Sequence, residues 1–465
     1  MTERKRYAVV GAGGRSEMFT NALLGQFKQN GELLAMCDLN QVRLNYHNKR
    51  MADRFGIEPL PTYKPEQFET MLREHRIDTV IVTTMDRTHH TYIIRALEAG
   101  CDAITEKPMT VDDDKCQQIL DAVKRTGRQV RVTFNYRYAP RNSKIKELLM
   151  RGVIGDVKSV HFEWLLDTKH GADYFHRWHR DKRNSGGLMV HKATHHFDLV
   201  NWWLSSSPVR VFALGELAFY GRENAEQRGM TKFYDRGTGH PNAKDCPFAI
   251  DLSSQDRLRE MYLEAEKEDG YRRDQSVFGD GISIEDDMSV LVKYASGANM
   301  TYHLTAYAPW EGYRIAFNGT KGRLEYEVEE KSYVSGEDKD QNRPDVRDAE
   351  AFTVTEPARI LIRPHWTEPY KVNVESGGGG HGGGDVRLLH DIFVGDQVDP
   401  MGRAADHVQG ARSILTGIAA NRSFMTGEPV DVTRLVDFTG HDVSLPPSVW
   451  PAEADCEPAE AVAAS

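Results

Sequence analysis

The chain has 465 residues, of which 28% are charged and 40% hydrophobic, and its formal net charge at pH 7 is −10. This length allows two or three domains with apolar cores. The charges are of both signs and interspersed, which argues against a surface for nucleic acid or anionic lipid. No apolar run reaches the roughly 18 residues of a membrane span. The absence of an apolar signal segment and of any Cys-x-x-Cys pair favours a cytoplasmic protein with reduced thiols.

The chain begins with the pattern of a strand, a glycine loop and a helix. An apolar run at residues 7–10 precedes the glycine-rich loop, and a helix is predicted at residues 18–27. In such a loop the first glycine allows a tight turn, the second lets the backbone approach a pyrophosphate, and the helix N-terminus favours the phosphate charge. The candidate cofactor-binding residues of this loop are Gly11, Gly13, Gly14, Arg15 and Ser16.

A second predicted strand, at residues 33–37, ends in Asp38. A carboxylate at this position accepts hydrogen bonds from the hydroxyls of an adenosine ribose and repels a 2′-phosphate. The position therefore favours NAD over NADP, although Arg43 shortly after it keeps NADP as the less favoured alternative.

Strands and helices continue to alternate through residue 134, which predicts a parallel sheet with helices on both faces. Polar residues follow each predicted strand, and ligands of such sheets bind beyond the carboxyl ends of the strands. We therefore expect one crevice lined by further cofactor-binding candidates, namely Thr84, Asp86, His89, Glu106, Lys107, Asn135 and Arg137.

Titratable side chains are concentrated between residues 185 and 203, after a Gly-Gly turn. Read as one helix, this stretch places His191, His195 and Asp198 on one face, with Lys192 beside them. The stretch indicates either an acid–base site or a helix with structural histidines. Two histidines four residues apart could also bind zinc, but no third ligand is evident, and we predict no metal.

The second half of the chain changes to strands with alternating polarity, at residues 157–164, 209–217, 288–294, 298–306, 313–318 and 322–327. Single helices are predicted at residues 256–269 and 402–424. The predicted fold class is α/β followed by α+β. A Rossmann domain in residues 1–140 precedes an open, mainly antiparallel sheet domain in residues 141–445, and a flexible tail occupies residues 446–465.

Two further stretches are candidates for substrate contacts. Residues 177–180, Arg-Trp-His-Arg, offer stacking and hydrogen-bond donors suited to a sugar, or form a surface loop. The glycine-rich stretch at 376–385 surrounds His381 and forms either a ligand-facing loop or a flexible linker. The candidate substrate residues are Lys107, Arg177, Trp178, Arg180, Lys192, His195 and His381.

Taken jointly, several motifs resemble the Gfo/Idh/MocA family of oxidoreductases over most of the chain. They are Gly11-x-Gly13, Asp38, Glu106-Lys107-Pro108, Phe134-Asn-Tyr-Arg137 and the Gly-Gly turn before His195-x-x-Asp198. The resemblance implies a nicotinamide cofactor between the two domains and a homo-oligomer, dimer or tetramer, formed through the open sheet. It also implies that Lys107 contacts the nicotinamide and the substrate hydroxyl, and that His195 accepts the hydroxyl proton.

One departure from the family pattern concerns the residue four positions before His195. Relatives usually carry an aspartate there, whereas this chain has His191 followed by Lys192. The ordinary acid–base arrangement is therefore changed, and His191 and Lys192 become further catalytic candidates.

Three functions fit these residues. The first is an NAD-dependent dehydrogenase of a sugar, glycoside or cyclitol, because hydride removal needs a base for the hydroxyl proton and a cation near the developing alkoxide. The second is a redox-neutral glycosidase that oxidises, eliminates, hydrates and reduces back, since such relatives share the glycine–histidine–glycine stretch. The third is a non-catalytic NAD-binding sensor. Net NADH formation distinguishes the first from the second.

Overall fold

The computed structural model describes residues 4–334, 359–374, 380–395 and 398–451, without the side chains of residues 380 and 381. Two sheets organise these residues. Their strands are β1 Lys5–Val10, β2 Gly31–Cys37, β3 Thr62–Tyr63, β4 Thr79–Val82, β5 Asp102–Thr105, β6 Val130–Val132, β7 Val157–Asp167, β8 Pro208–Glu216, β9 Asp287–Tyr294, β10 Asn299–Ala308, β11 Glu311–Gly319, β12 Gly322–Lys331, β13 Arg359–Pro364, β14 Tyr370–Asn373, β15 Ala405–Asp406 and β16 Val430–Asp431.

Helices cover both sheets and connect their strands. They are α1 Ser16–Leu24, α2 Gln41–Phe55, α3 Phe68–Glu74, α4 His89–Glu98, α5 Asp113–Thr126, α6 Pro140–Met150, α7 Thr168–His176, α8 Lys182–Ser185, α9 Gly187–His191, α10 Thr194–Leu204, α11 Arg222–Gln227, α12 Asp256–Leu258, α13 Glu266–Asp269, α14 Gly384–Phe393 and α15 His407–Thr426. None of the helices in the described part of the chain is long and apolar enough to cross a membrane.

The first sheet has the strand order β15-β6-β5-β4-β1-β2-β3. The pairs from β6 to β3 are parallel, and β15 joins β6 antiparallel. Strand β1 shows why both faces need cover: Tyr7 and Val9 belong to one apolar cluster, and Ala8 and Val10 to another. Such runs, buried on both faces, are typical of parallel strands between layers of helices. The predicted Rossmann architecture is confirmed.

The second sheet has the order β14-β13-β12-β11-β7-β10-β9-β8-β16 and is antiparallel except for the pair β7 and β10. Residues of β9 alternate between exposed and buried. The buried side packs on the central helices, and Trp164 and Trp202 lie in that core. The predicted open, mainly antiparallel sheet is confirmed.

Three predicted helices differ from the structure. The stretch 256–269 is divided into α12, a π-helical turn at Arg259–Leu263 and α13. The helix expected from residue 402 begins at His407, because residues 405–406 pair with β6 as β15. The helix expected across residues 187–203 is divided into α9 and α10, because Lys192 and Ala193 form a wider turn whose amides both bond to the Leu188 carbonyl.

A long insertion, residues 217–286, separates β8 from β9. Its base is fixed by the Asp286 carboxylate, which accepts hydrogen bonds from the backbone amides of residues 218–220. Residues 256–271, here named the strap, then reach the first sheet at α1 and α2. The contacts are Asn40 Nδ2 to the Ala265 carbonyl (2.9 Å), Gln41 N to Glu268 (2.5 Å), Arg43 to Asp269 (2.6 Å) and Arg257 to Glu17 (3.2 Å).

The C-terminal stretch is described as far as residue 451. Trp450 donates its backbone amide to the Met150 carbonyl at 3.2 Å, and Ser205 donates to the Pro447 carbonyl at 2.8 Å. The remainder of the predicted tail lies outside the described residues.

Candidate active site

The glycine loop between β1 and α1 leaves room for a phosphate group. Gly11 has φ of +96°, and a Cβ there would lie 2.6 Å from the backbone of Thr83 and Thr84, so this position requires glycine. In contrast, a Cβ on Gly13 would have no atom within 4 Å. The loop therefore contacts β4 at Gly11 and is open beyond Gly13, where α1 presents its N-terminus.

Asp38 stands at the end of β2 and is 9% exposed. Its carboxylate accepts the backbone amides of Ala12 at 2.6 Å and Asn40 at 2.7 Å. Burial raises the pKa of Asp38, and these two donors oppose the rise. The Asp38 carboxylate thus holds the glycine loop in place. Each of its two oxygens has a further lone pair that can accept a hydrogen bond from a ribose hydroxyl.

A network of polar groups joins the loop to the ends of β5 and β6. Arg15 Nε donates to Glu106 at 2.8 Å, and Arg15 also lies 3.6 Å from Asp385. Asn135 Nδ2 donates to the same Asp385 at 2.6 Å. The sequence did not identify Asp385 as a site residue, although its place after the glycine-rich stretch was a signal.

The described end of the glycine-rich stretch, at residues 382–385, packs directly on this network. A Cβ on Gly384 would lie 2.3 Å from the Asn135 carbonyl oxygen, so backbone meets backbone here. This contact agrees with the loop alternative and not with a free linker. The side chain of His381, a predicted substrate residue, lies outside the described part of the structure.

Lys107 is half-buried at the end of β5 and faces His191. Its Nζ lies 3.2 Å from the His191 carbonyl oxygen and 3.5 Å from Nε2 of the same residue. Nδ1 of His191 lies 2.5 Å from the Asp86 carboxylate. A carboxylate accepts, so Nδ1 carries the proton and the Nε2 lone pair is directed to Lys107. The sequence placed these three residues in the site but did not predict their pairing.

Burial dominates the titration of these groups. It lowers the pKa of Lys107 to about 8, against the carboxylates of Asp86 and Glu106, which raise it. Burial also raises the pKa of Asp86 well above its usual value, opposed by Lys107. The pKa of His191 is held well below its usual value by burial and by the Lys107 charge. His191 is therefore neutral at neutral pH.

His179 and Trp178 form the outer wall beside His191. The two rings of residues 178 and 179 are stacked with centroids 3.6 Å apart, and the His179 ring lies 4.2 Å from the His191 ring. Ligand atoms of Asp86, His179 and His191 lie within 4.8 Å of one another, whereas His195 is not in this group. That spacing would admit a divalent metal ion, but the Lys107 ammonium beside His191 disfavours a second cation.

His195 and Lys192 line another side of the site. The His195 ring stacks on Tyr136 at 4.4 Å, and the Lys192 ammonium lies 4.9 Å from the centre of the Trp164 ring. We expected His191, His195 and Asp198 on one helix. In the structure His191 ends α9, whereas His195 and Asp198 lie on α10. All three nevertheless meet residues that follow strands of the first sheet.

Three predicted site residues prove to be structural supports. Arg137, expected at the cofactor, is 1% exposed and donates to Asp198, Gln409 and the Gly402 carbonyl. His89, also expected there, is buried between the carbonyls of Thr84 and Pro108, at 3.1 and 2.8 Å. Arg180, expected at the substrate, donates to the carbonyls of Ser276 and Asp280 and so holds the insertion.

Arg177 and Trp178 are half-buried, as a substrate contact requires. Arg177 forms an ion pair with Asp173 of α7, and Asp173 lies 3.6 Å from Arg273 of the insertion. The insertion therefore extends from this wall to the strap at α2.

Comparison with known proteins agrees with this geometry. Residues 5–134 match the model "Oxidoreductase family, NAD-binding Rossmann fold", and residues 146–432 match "Oxidoreductase family, C-terminal alpha/beta domain", both of the Gfo/Idh/MocA family. YteT of Bacillus subtilis, named as an oxidoreductase, is 36% identical over 430 residues, which are 90% of this chain and 95% of YteT. The D-glucoside 3-dehydrogenase of Escherichia coli is 26% identical over 33% of this chain and 41% of its own.

Solved structures share the fold at low identity. The aldose-aldose oxidoreductase from Caulobacter crescentus superposes with a TM-score of 0.58 at 16% identity, covering 92% of this chain and 100% of that one. The WlbA dehydrogenase from Bordetella pertussis, solved with NADH and UDP-GlcNAcA, gives a TM-score of 0.58 at 16% identity, covering 92% and 99%. With both domain models matched along its length, this chain belongs to the Gfo/Idh/MocA family of NAD(P)-dependent oxidoreductases.

Proposed function

We propose that this protein is an NAD-dependent dehydrogenase that oxidises a hydroxyl-bearing carbon of a sugar, glycoside or cyclitol. The observation that carries the proposal is Lys107, a half-buried amine whose pKa burial lowers to about 8, at the strand end near Arg15 of the glycine loop and beside His191 of α9. Two partial relatives are named for such substrates, inositol 2-dehydrogenase and D-glucoside 3-dehydrogenase.

The residues present fit a dinucleotide. The space above Gly13 admits a pyrophosphate, and Asp38 stands where a ribose would meet it. When bound, the nicotinamide accepts the hydride. The buried carboxylate of Asp38 disfavours a 2′-phosphate, because an added dianion nearby would lack a compensating cation: Arg43 is already paired with Asp269. We therefore favour NAD over NADP.

Lys107 and His195 have the chemistry that alcohol oxidation requires. The hydroxyl proton must leave while negative charge develops on oxygen. Lys107 supplies a cation for that charge, and the imidazoles of His191 and His195 are the candidate acceptors of the proton. Lys192 adds a second cation on the same wall. Trp178 offers a flat, half-buried ring against which a sugar face can stack.

The test is a turnover assay with NAD⁺ against myo-inositol, D-glucose and 4-nitrophenyl β-D-glucopyranoside. NADH absorbance is followed together with mass spectrometry of the products. We expect a keto product in step with NADH. Lys107→Ala should lower kcat by roughly 10²–10⁴-fold while NAD still binds. Lys144→Ala, on α6 in a pair with Glu147, is the matched control and should turn over normally. Turnover by Lys107→Ala at the wild-type rate would refute the assignment.

One feature favours a second candidate, the redox-neutral glycosidase. The strap bonds to the helices on either side of the place where adenosine would lie, through Arg43–Asp269 and Arg257–Glu17. Arg43 and Asp269 are mostly buried, with side chains 10% and 11% exposed, so opening the strap has an appreciable cost. A cofactor enclosed in this way suits a cycle in which the hydride returns to the product.

This second candidate predicts release of 4-nitrophenol without added NAD⁺ and without net NADH. It also predicts stoichiometric NAD in the purified protein. NADH accumulation that equals the keto product would reject it. The third alternative, an NAD-binding sensor, predicts neither activity and equal NAD binding by wild type and Lys107→Ala.

We further propose a homo-oligomer formed through the outer face of the second sheet. Leu214 and Leu291, 61% and 53% exposed on adjacent strands β8 and β9, support this face. Light scattering after size exclusion tests it, and Leu291→Arg should dissociate the assembly. A monomer in the wild type would refute the proposal.

A further inference from the structure

We propose that Asp86, His191 and Lys107 form a proton relay, in which His191 is the final acceptor of the substrate hydroxyl proton and Asp86 is its positioning residue. The relay deepens the proposed function and rests on it for the reaction. Its ground state, however, is a property of the protein alone and can be tested without a substrate.

The geometry is a chain of three groups from three segments. Asp86 follows β4, Lys107 follows β5, and His191 ends α9. The Asp86 carboxylate lies 2.5 Å from Nδ1, and the Lys107 ammonium lies 3.5 Å from Nε2 on the opposite side of the imidazole. The carboxylate selects the tautomer with the proton on Nδ1, because only that nitrogen can donate to it. Nε2 is then left as an acceptor that faces the amine.

Proton transfer along this chain balances. The Lys107 ammonium gives a proton to Nε2 and becomes an amine, which then takes the proton of the substrate hydroxyl. A bound nicotinamide cofactor would be the oxidant and would take the carbinol C–H electron pair as hydride, while a C=O bond forms on the substrate. At the end Lys107 is again an ammonium, and His191 is an imidazolium whose charge the adjacent Asp86 carboxylate offsets against the repulsion from Lys107.

Lys107 carries the main charge that opposes protonation of His191. The charged and titratable groups that influence His191 are Lys107, His179, Arg177 and Lys192, and those that influence Asp86 are Lys107, Arg177 and Glu106. Because an ammonium on Lys107 disfavours an imidazolium 3.5 Å away, moving the proton removes the main charge that opposes it. The rings of Tyr174 and Trp178 lie 5.5 and 6.1 Å from His191 and limit access of water.

The first experiment uses the protein as isolated, labelled with ¹⁵N-histidine, and needs no substrate. We expect a far-downfield Nδ1 proton signal from His191, typical of an imidazole bonded to a carboxylate, beside the signal of His170, whose Nδ1 lies 2.6 Å from Glu311. The His191 signal should vanish in His191→Gln and move upfield in Asp86→Asn, while the His170 signal stays. His161→Gln, which removes an exposed histidine bonded to Thr301, should leave the His191 signal unchanged. A His191 protonated on Nε2 would overturn the relay.

Metal analysis of the same samples tests the competing use of these residues. The relay predicts no bound transition metal. One equivalent of zinc, manganese or nickel that is lost in His191→Gln would overturn it in favour of a metal site of Asp86, His179 and His191.

The second experiment measures kcat and KM across pH with the best of the three probes above. Asp86→Asn should lower kcat by roughly 10²-fold or more, with KM and NAD affinity little changed, and Asp86→Glu should restore part of the loss. Because Asp86 acts through His191, the double variant Asp86→Asn/His191→Gln should have a kcat no lower than that of His191→Gln alone. Losses that multiply would refute the relay. If the wild type turns over no probe, the proposed function fails, and the NMR result still decides the relay.

Discussion

The buried ion pair between Arg137 and Asp198 links the two sheet systems, and its removal should destabilise the whole protein. Arg137 lies in the 3₁₀ turn after β6, and Asp198 lies on α10. Two hydrogen bonds join them, Nε to Oδ2 at 2.8 Å and Nη2 to Oδ1 at 2.6 Å. Both side chains are almost wholly buried, with 1% and 2% exposed. Asp198→Ala would therefore leave a guanidinium without its carboxylate in the interior.

The magnitude follows from this burial. Removing one partner of a buried pair lowers the free energy of unfolding by about 3–5 kcal/mol, because the remaining charge is uncompensated. Gln409 and the Gly402 carbonyl still accept from Nη1, but Nε and Nη2 lose their acceptors. Replacing both partners with apolar residues, Arg137→Met with Asp198→Leu, should be milder than Asp198→Ala alone, since no buried charge is left.

The pH dependence of this carboxyl has a definite sign. Burial raises the pKa of Asp198 from 3.8 to about 6, although Arg137 opposes the rise. The folded chain therefore binds more protons at this site than the unfolded chain between these two pKa values. The contribution of Asp198 to the free energy of unfolding thus decreases as pH rises through that window. Asp198→Asn should remove this dependence.

Urea denaturation above pH 7, followed by circular dichroism and by tryptophan fluorescence, measures the loss. The control is Asp113→Ala, which removes two hydrogen bonds of 2.6 and 2.7 Å to Arg422 at the surface. That arginine side chain is 43% exposed, so we expect a loss of about 1 kcal/mol or less. If Asp198→Ala costs no more than the control, the argument from burial is wrong.

Three further predictions concern the glycine loop, cofactor choice and a buried lysine. Gly11→Ala should prevent stable folding because its Cβ would meet backbone at 2.6 Å, whereas Gly13→Ala should leave urea stability unchanged and weaken NAD binding in a fluorescence titration. Asp38→Ala should lower the preference for NAD over NADP, because it removes the carboxylate that repels a 2′-phosphate. An unchanged ratio of the two affinities would show that Asp38 does not select the cofactor. Burial lowers the pKa of Lys146 from 10.5 to about 7, so the unfolded chain binds more protons between these values and stability should rise with pH there. Lys146→Met should flatten that rise, and equal slopes would contradict it.

The first sheet could be predicted because its signals are local. An apolar run, a glycine turn and Asp38 occur within a short stretch. The apolar run indicates a buried strand, the glycines indicate a tight turn, and Asp38 marks the end of the next strand. Glu106 and Lys107 could be placed in the crevice from topology alone, since the carboxyl ends of parallel strands share an edge. Arg137 and His89 follow strands in the same way, yet they turn inward, because the packed interior beside them offers carbonyl and carboxylate acceptors.

The pairing within the site could not be predicted because it depends on contacts distant in sequence. Asp86 and His191 are 105 residues apart, and Asn135 and Asp385 are 250 residues apart. The helical period also predicted that His191 shares one helix face with His195 and Asp198. The wider turn at Lys192 separates His191 from the other two. Sequence spacing predicts the directions of side chains only while the helix hydrogen bonds stay regular. Here the amides of Lys192 and Ala193 both bond to the Leu188 carbonyl.

The site is therefore assembled by the whole chain and not by its first domain. Strand β15 extends the first sheet beyond β6, and α14 covers one of its faces through Leu389 and Phe393. Asp385, in the first turn of α14, reaches the same network as Arg15. Because β15 and α14 follow β14 in sequence, the first sheet and its glycine loop are completed by segments from the far end of the chain. Residues 1–140 alone therefore lack the Asp385 carboxylate that joins Arg15 to Asn135.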